Sequence, residues 1–161
     1  MWDKIKRNAP GYLIGIAIPL AVGALSAFLT MGNMDIYSEL VTPPLAPPSW
    51  LFPVVWTILY VLMGISSVIV YKSRELSPDA ARRGLIYYAV SLALNFGWSI
   101  IFFNARSFLF AFLWLLVLLY TIVKTIICYV KAVPVSGYLQ IPCALWVAFA
   151  GYLNLGIYLL N

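Results

Sequence analysis

The sequence lacks histidine entirely, and only five of its 161 residues are acidic. Its two cysteines, Cys128 and Cys143, each lie within an apolar run. The absence of histidine excludes a His-ligated metal or haem and a Ser-His-Asp triad, and the cysteine spacing excludes a Cys-x-x-Cys site. We therefore expect no metal site and no required cofactor.

Charge of either sign is also scarce. Only 9% of the residues are charged and 64% are hydrophobic, whereas a soluble domain has about 25% charged and roughly 45–50% apolar residues. This composition excludes an ordinary soluble enzyme, a disordered tail and a coiled coil, and it leaves a polytopic membrane protein. The net charge of +5 does not indicate a nucleic-acid partner, because the basic residues fall where membrane topology places them.

Five apolar stretches are long enough to cross a bilayer, which takes about 20 residues in a helix. They cover approximately residues 12–30, 52–71, 85–103, 108–130 and 137–160. Together they make up most of the chain, so residues 1–161 are predicted to form a single transmembrane domain. The predicted fold class is an all-α membrane protein, a bundle of five transmembrane helices.

The basic residues predict how this bundle is oriented. If the helices alternate in direction, one side carries Lys4, Lys6, Arg7, Lys72, Arg74, Arg82, Arg83, Lys124 and Lys131. The other side carries Arg106 together with Asp35 and Glu39. The positive-inside rule then places this multi-pass protein in the cell membrane with a cytoplasmic N-terminus and an extracellular C-terminus.

The connection between the first two spans, about residues 31–51, is long and rich in proline. Four prolines lie in its second half, namely Pro43, Pro44, Pro47 and Pro48. Proline restricts the backbone and removes hydrogen-bond donors, so we expect an ordered, non-helical segment. The segment is either a stiff spacer or a lid. A lid is favoured because a spacer has no need of Tyr37, Leu40, Leu45 and Trp50 among its prolines.

The polar residues inside the spans are few, and none of them is Asp or Glu, which counts against proton-coupled transport. At helical spacing they form three stripes: Trp56, Tyr60, Met63 and Ser67; Ser91, Asn95, Trp98, Ser99 and Phe102; and Trp146, Phe149, Ala150, Leu153 and Asn154. Such stripes favour an apolar pocket beneath the lid, in which Trp56, Trp98 and Trp146 offer stacking surfaces for a large planar ligand. The alternative is packing between helices, with Asn95 and Asn154 bonded to a neighbouring helix.

Small residues on the third span predict a homodimer. Ala89, Ala93 and Gly97 recur every four residues and form one ridge. Helices in lipid associate through close approach at small residues, and the ridge lies about 200° around the helix from the stripe that begins at Ser91. The alternative is that the ridge packs against another helix of the same chain.

Three motifs of the chain resemble those of one known family. They are PPSWLFPVVWTILY at residues 47–60 with Met63 and Gly64, NFGWS at residues 95–99 with Phe102 and Phe103, and LWVAFA at residues 145–150 with Pro142, Leu153 and Asn154. On these motifs the chain resembles the translocator protein family, also called tryptophan-rich sensory proteins (TspO/MBR) or peripheral benzodiazepine receptors. The resemblance extends over nearly the whole chain, in the right order.

The resemblance implies a five-helix bundle, usually dimeric, that binds tetrapyrroles such as protoporphyrin. It also implies binding of isoquinoline or benzodiazepine-type small molecules and contact with membrane lipid. Some bacterial members promote light-dependent oxidative breakdown of protoporphyrin, which needs light, oxygen and an oxidisable tryptophan, here Trp56 or Trp146. Carried onto matching positions, the ligand site comprises Tyr37, Pro47, Trp50, Trp56, Tyr60, Asn95, Trp98, Trp146 and Ala150.

The chain departs from the family pattern at two places, which limits what the resemblance implies about its ligands. Neither Tyr152 nor Tyr158 is followed by Lys or Arg, so the cholesterol motif of the mitochondrial members is absent at the last helix. In addition, Cys143 follows Pro142 where family members often carry tyrosine.

Three functions stay open: a tetrapyrrole sensor or scavenger, with or without degradation of its ligand in light, a transporter of tetrapyrroles or lipid-like ligands, and a regulatory protein switched by its ligand. The chain lacks a hydrolytic or metal-dependent active site, so any enzymatic activity expected of it is the photo-oxidative one.

Overall fold

The computed structural model describes residues 2–161, with side chains described from Ala9 onward. Lys4, Lys6 and Arg7, which enter the predicted orientation, therefore lie outside the described side chains. The elements are α1 (Trp2–Thr30), a 3₁₀ turn (Met31–Asn33), α2 (Ile36–Glu39), α3 (Leu51–Lys72), α4 (Pro78–Ser99), a π-helical turn (Ile100–Asn104), α5 (Phe108–Ala132), α6 (Pro134–Tyr138) and α7 (Ile141–Leu160).

The predicted fold class is confirmed. Within the described chain, five segments are long and apolar enough to cross a membrane: Ala9–Asn33, Leu51–Lys72, Pro78–Asn104, Phe108–Ala132 and Pro134–Leu160. Two helices begin earlier than predicted, α1 at Trp2 and α4 at Pro78. Hydropathy marks the membrane-embedded length of a helix, whereas the hydrogen-bonded helix continues into the polar turns outside it, and a proline at the first position of α4 suits a helix start.

The last span is broken between α6 and α7. The helix α6 ends at Tyr138, and α7 begins at Ile141. Pro142 occupies the second position of α7 and has no N–H to donate to the carbonyl four residues earlier. The apolar run that predicted one helix over residues 137–160 is therefore a short helix followed by a long one.

The prediction of a wholly non-helical connection over residues 31–51 is wrong in its first half. The 3₁₀ turn and α2 both lie there, and extended backbone begins only at Leu40. The prolines that exclude helix begin at Pro43, and α2 forms before them because Ile36 is buried on its inner face. Residues 40–50, which hold the four prolines, are non-helical apart from turns. We call residues 31–50 the lid.

The long helices form a closed ring. Helix α1 packs against α3 and α4, α4 packs against α5, α5 packs against α6 and α7, and α3 meets α6 and α7 to complete the ring. The chain begins at the end of the bundle that holds the α3–α4 loop, which we call the basic end. It finishes at the opposite end, beside the lid, which we call the lid end.

The basic end is closely packed. Tyr129 is fully buried, and a Cβ atom on Gly84 would lie 2.6 Å from its ring. Ser66 donates a hydrogen bond of 2.7 Å to the carbonyl of Ser136, and Gln140 donates to the Ser66 hydroxyl at 3.4 Å. These contacts join α3, α4, α5 and α6 and fill the interior at this end.

Candidate ligand site beneath the lid

The lid is fastened to the end of α7. The amide N–H of Val41 donates to Oδ1 of Asn161 at 3.0 Å, and Nδ2 of Asn161 donates to the Val41 carbonyl at 2.9 Å. The hydroxyl of Tyr152 donates to the carbonyl of Pro44 at 2.8 Å. All three bonds are exposed, so each contributes only modestly to the stability of the closed lid.

A continuous series of aromatic rings runs from the lid to α7. It runs through Tyr37, Phe52, Trp146, Phe149 and Tyr152, with successive ring centroids 5.2, 5.8, 5.6 and 6.1 Å apart. Tyr37 closes one end by donating its hydroxyl to the Pro47 carbonyl at 3.0 Å. Partial burial raises the pKa of Tyr37 above its ordinary value, so the phenol stays protonated and remains a donor.

Trp146 differs from its neighbours in this series because its polar atom is unsatisfied. Its Nε1 is buried and has no hydrogen-bond partner among the described residues. A buried N–H without a partner costs free energy, about 1–3 kcal/mol for a neutral group. An acceptor that arrives with a ligand would remove that cost.

A second layer of predicted residues lies deeper in the bundle. Trp56 stacks on Tyr60 with ring centroids 5.5 Å apart, and the Tyr60 hydroxyl accepts a hydrogen bond from Nδ2 of Asn95 at 3.1 Å. Trp98 donates from Nε1 to Oδ1 of Asn154 at 3.1 Å. Both amides are thus bonded to a neighbouring helix, which was the alternative for these two residues.

Some of the remaining predicted residues are buried in the bundle, and others are exposed. Ala150 is buried, whereas Trp50 is 65% exposed at the start of α3. Ser91 turns back to its own helix and donates to the Tyr88 carbonyl at 2.7 Å. Met63 contacts the Cys143 sulfur at 3.7 Å in the closed core. Of the predicted stripes, only Trp146 and Phe149 belong to the ring series described above.

Several residues of this arrangement were missed in the sequence. Asn161 and Gly156 hold the lid, and a Cβ atom on Gly156 would lie 2.6 Å from the Pro43 ring. Phe52 joins the lid ring to Trp146. Gly156 lies one turn after Tyr152, and a lone glycine among large residues was the signal for a close approach. Nothing in the sequence indicates that Asn161 bonds to Val41.

An apolar groove lies on the outer face between α3 and α7. It has a volume of about 430 Å³, and its lining includes Val55, Ile58 and Leu62 of α3 and Leu145, Trp146 and Phe149 of α7. Two of these residues, Trp146 and Phe149, also belong to the ring series beneath the lid. The membrane-facing surface and the candidate site are therefore separated by the thickness of those two side chains.

The two ends of the small-residue ridge on α4 lie in different environments. Ala89 and Ala93 are exposed, while Gly97 is partly buried and a Cβ atom there would lie 2.9 Å from the ring of Trp114 on α5. Trp114 also donates from Nε1 to the Leu94 carbonyl at 2.7 Å. The Gly97 end of the ridge thus serves packing within the chain, and the Ala89–Ala93 part faces outward.

Comparison with known proteins gives consistent matches over most of the chain. The sequence model of the TspO/MBR family matches residues 15–160. The chain is 37% identical to the tryptophan-rich protein TspO of Chlorobaculum tepidum over 151 residues, which cover 91% of this chain and 92% of that protein. It is 34% identical to protein CrtK of Rhodobacter capsulatus, over 86% and 85% of the two chains. It is 33% identical to the translocator protein of Bos taurus, over 85% and 82%.

Proposed function

Because this chain belongs to the TspO/MBR family of multi-pass membrane proteins, we propose that it binds a tetrapyrrole such as protoporphyrin beneath the lid, as a sensor or scavenger. The observation that carries the proposal is the unsatisfied N–H of Trp146, which lies between Phe52 and Phe149 at the lid end. Flat aromatic surfaces suit a planar macrocycle, and a buried donor suits the carboxylate or ring nitrogen that such a ligand carries.

Binding requires the lid to move. The rings of Tyr37 and Phe52 are in edge contact, and Trp56 is stacked on Tyr60, so a macrocycle has to separate the lid from α3. The bonds to be broken are the exposed ones from Asn161 and Tyr152. Isoquinoline or benzodiazepine-type molecules are expected to compete for the same aromatic surfaces.

If the protein has an enzymatic activity, we propose that it is the degradation of the bound ligand in light. Light excites the tetrapyrrole and dioxygen is the oxidant, so the chain has only to hold the ligand and supply an oxidisable ring. Trp146 and Trp56 are the candidates, because one lines the ring series under the lid and the other is stacked on Tyr60.

The test is a titration of the purified protein with protoporphyrin, followed by an absorbance time-course under illumination. Trp146→Leu should weaken binding by about tenfold, because it removes a ring surface and a donor together. Trp146→Phe keeps a ring and should retain most of the stacking while losing the donor. Trp114→Phe is the matched control, since Trp114 bonds to Leu94 away from the lid.

The titration and the time-course have three informative outcomes. Loss of the ligand band in light that depends on Trp146 supports a degrading scavenger. Stable binding that depends on Trp146 supports a sensor without degradation. Equal binding by Trp146→Leu and by the parent protein contradicts the site itself.

A transporter of lipid-like or tetrapyrrole ligands is the second candidate. The observation that favours it is the outer groove between α3 and α7, which shares Trp146 and Phe149 with the site. A ligand dissolved in the bilayer would reach the site through this groove. Transfer of protoporphyrin between donor and acceptor vesicles, faster with the protein than without it, is the measurement that distinguishes transport from sensing.

The orientation proposed for the chain places the basic end in the cytoplasm. Arg74, Arg82 and Arg83 belong to the loop and helix start at that end, and basic loops are retained on the cytoplasmic side. Leu76 and Leu45 are 81% and 85% exposed in the two opposite loops. In a cysteine-free background, a membrane-impermeant maleimide should label Leu45→Cys in intact cells and should label Leu76→Cys only after lysis.

The proposed homodimer uses the exposed part of the α4 ridge. Ala89 and Ala93 face outward while Ser91 and Asn95 of the same helix are buried, so a partner can approach without disturbing the interior. Ala93→Cys should cross-link in native membranes, and Ala93→Leu should convert the detergent-solubilised dimer to a monomer. A cross-link absent at Ala93→Cys, with an unchanged particle size for Ala93→Leu, argues against this interface.

A further inference from the structure

A second groove lies at the basic end, on the opposite side of the membrane from the lid. It has a volume of about 500 Å³, and two arginines, Arg74 and Arg82, form part of its lining. Leu85 and Ile86 of α4 form its apolar floor, and Ala89, which also belongs to the ridge of the proposed dimer, lies at the inner edge of the groove. We infer that this groove binds one anionic phospholipid, with the phosphate on the two arginines and an acyl chain along the floor.

The polarity of the lining changes in the order that a phospholipid requires. Arg82 lies in the second turn of α4, and the apolar floor residues follow it toward the middle of the spanning segment Pro78–Asn104. Ile86 is 54% exposed, so the floor faces the surrounding lipid. A ligand that matches the groove has an anionic head at the membrane surface joined to an apolar chain below it.

The arginines are suited to phosphate rather than to a diffuse counter-ion. Arg74 is held in place, because Nη1 donates to the Tyr71 carbonyl at 2.8 Å and the guanidinium lies 4.3 Å from the Tyr71 ring centroid. One such bond leaves further N–H donors of the same planar group for phosphate oxygens. Basic pockets between spanning helices are a recurrent type of site for anionic head groups.

The neighbouring charged residues are not part of the lining of the groove. Lys72 lies 4.3 Å from the ring centroid of Tyr12, on the α1 side of the bundle. Glu75 in the loop and Asp79 in the first turn of α4 are not part of the lining of the groove. Arg83, the residue after Arg82, is likewise exposed outside the lining. The positive charge inside the groove is therefore a local feature of Arg74 and Arg82.

The experiment compares lipid retention by the full chain in native mass spectrometry. The protein is released from micelles that contain phosphatidylglycerol or phosphatidylcholine with identical acyl chains. Arg82→Gln should weaken retention of phosphatidylglycerol by about fivefold, equivalent to about 1 kcal/mol, without changing retention of phosphatidylcholine. Arg83→Gln removes the same charge from the adjacent position and should change retention by less than about twofold.

The apolar floor is tested separately. Ile86→Ala should weaken retention of phosphatidylglycerol, whereas Val90→Ala, an exposed position on the same helix outside the groove, should not. Soluble glycerol phosphate should displace the lipid only weakly, because it lacks the chain that the floor holds.

Three results would overturn the inference. Equal losses in Arg82→Gln and Arg83→Gln mean that diffuse charge at the basic end attracts the lipid. Equal retention of the two lipids by the parent protein means that the head group is not recognised. Displacement by glycerol phosphate as effective as by phosphatidylglycerol means that the groove is a phosphate site and not a lipid site.

Discussion

The lid end and the basic end of this bundle are held together by different kinds of contact. At the basic end, helices approach through glycine, and a fully buried Tyr129 fills the space beside Gly84. At the lid end, rings meet edge to edge at more than 5 Å between centroids, and exposed hydrogen bonds hold a loop on α7. The contacts that hold the lid are therefore exposed hydrogen bonds and ring edges, whereas those at the basic end are close contacts between helices.

Both ends contain a buried polar atom without a partner among the described residues, but the surroundings of the two atoms differ. The Tyr129 ring packs on Gly84 of α4, while Trp146 lies against Phe52 at the start of α3 and lines the outer groove. An unsatisfied group in a closed core is a cost that only water or substitution can remove. The proposed ligand would supply an acceptor to the N–H of Trp146.

The largest expected effect comes from adding bulk to one glycine at each end. Gly84→Leu should destabilise the protein by about 3 kcal/mol, because the new side chain meets the ring of a fully buried tyrosine. Gly156→Leu should lower stability by about 1 kcal/mol or less, because its neighbour Pro43 belongs to the lid and can move away. Thermal unfolding in detergent measures both, and equal losses would contradict the contrast between the ends.

Two Tyr→Phe substitutions should change the stability of the protein in opposite directions. Tyr129→Phe removes a buried hydroxyl without a partner and should raise stability by about 1 kcal/mol. Tyr60→Phe removes the acceptor for Asn95 and should lower stability by a similar amount. Destabilisation by Tyr129→Phe would show instead that an ordered water satisfies the hydroxyl.

Removing the fastening of the lid should change kinetics more than stability. Asn161→Ala deletes both bonds to Val41 and should speed release of protoporphyrin about threefold, since exposed bonds contribute about 0.5–1 kcal/mol. Thr57→Ala, which loses an exposed bond within α3, is the control. Stopped-flow release that is unchanged by Asn161→Ala would mean that the lid is a spacer.

The smallest expected effect concerns the backbone of the lid. Leu45 has φ 68° and is 85% exposed, a conformation that costs a non-glycine residue about 1–2 kcal/mol. Leu45→Gly removes this cost but adds flexibility to the open lid, so we expect a net gain of about 0.5 kcal/mol for the closed lid and slower release. Arg106→Gly, at φ 51° in the α4–α5 loop, should leave release unchanged.

Much of the fold was predictable because membrane crossing depends on properties that are local in the chain. Apolar length located five spans, and proline located the non-helical half of the lid. The same reasoning misplaced the starts of α1 and α4, because helices continue into polar turns where hydropathy carries no signal. It missed α2, a four-residue helix in which Ile36 is buried. It also joined α6 and α7, although Pro142 marks the break.

The candidate site was predictable only in part. Helical spacing correctly grouped residues by face, and it separated the buried Asn95 from the exposed Ala93. It did not show which polar groups are already paired within the bundle. Asn154 meets Trp98 and the Phe108 carbonyl, and Asn95 meets Tyr60. Trp146 belongs to a stripe of the same appearance, but its N–H has no partner from Ala9 onward.

The sequence by itself determined that this chain is a membrane-spanning helical bundle of the TspO/MBR family, because apolar length and motif order are properties read along the chain. Tertiary structure alone decided that Asn161 fastens the lid at Val41, 120 positions away. It also decided that Gly97 packs on Trp114 and that the Trp146 N–H has no partner among the residues whose side chains the structure describes. Hydrogen bonds and close packing depend on which distant segments meet, and the closing of the helix ring is what brings those segments together.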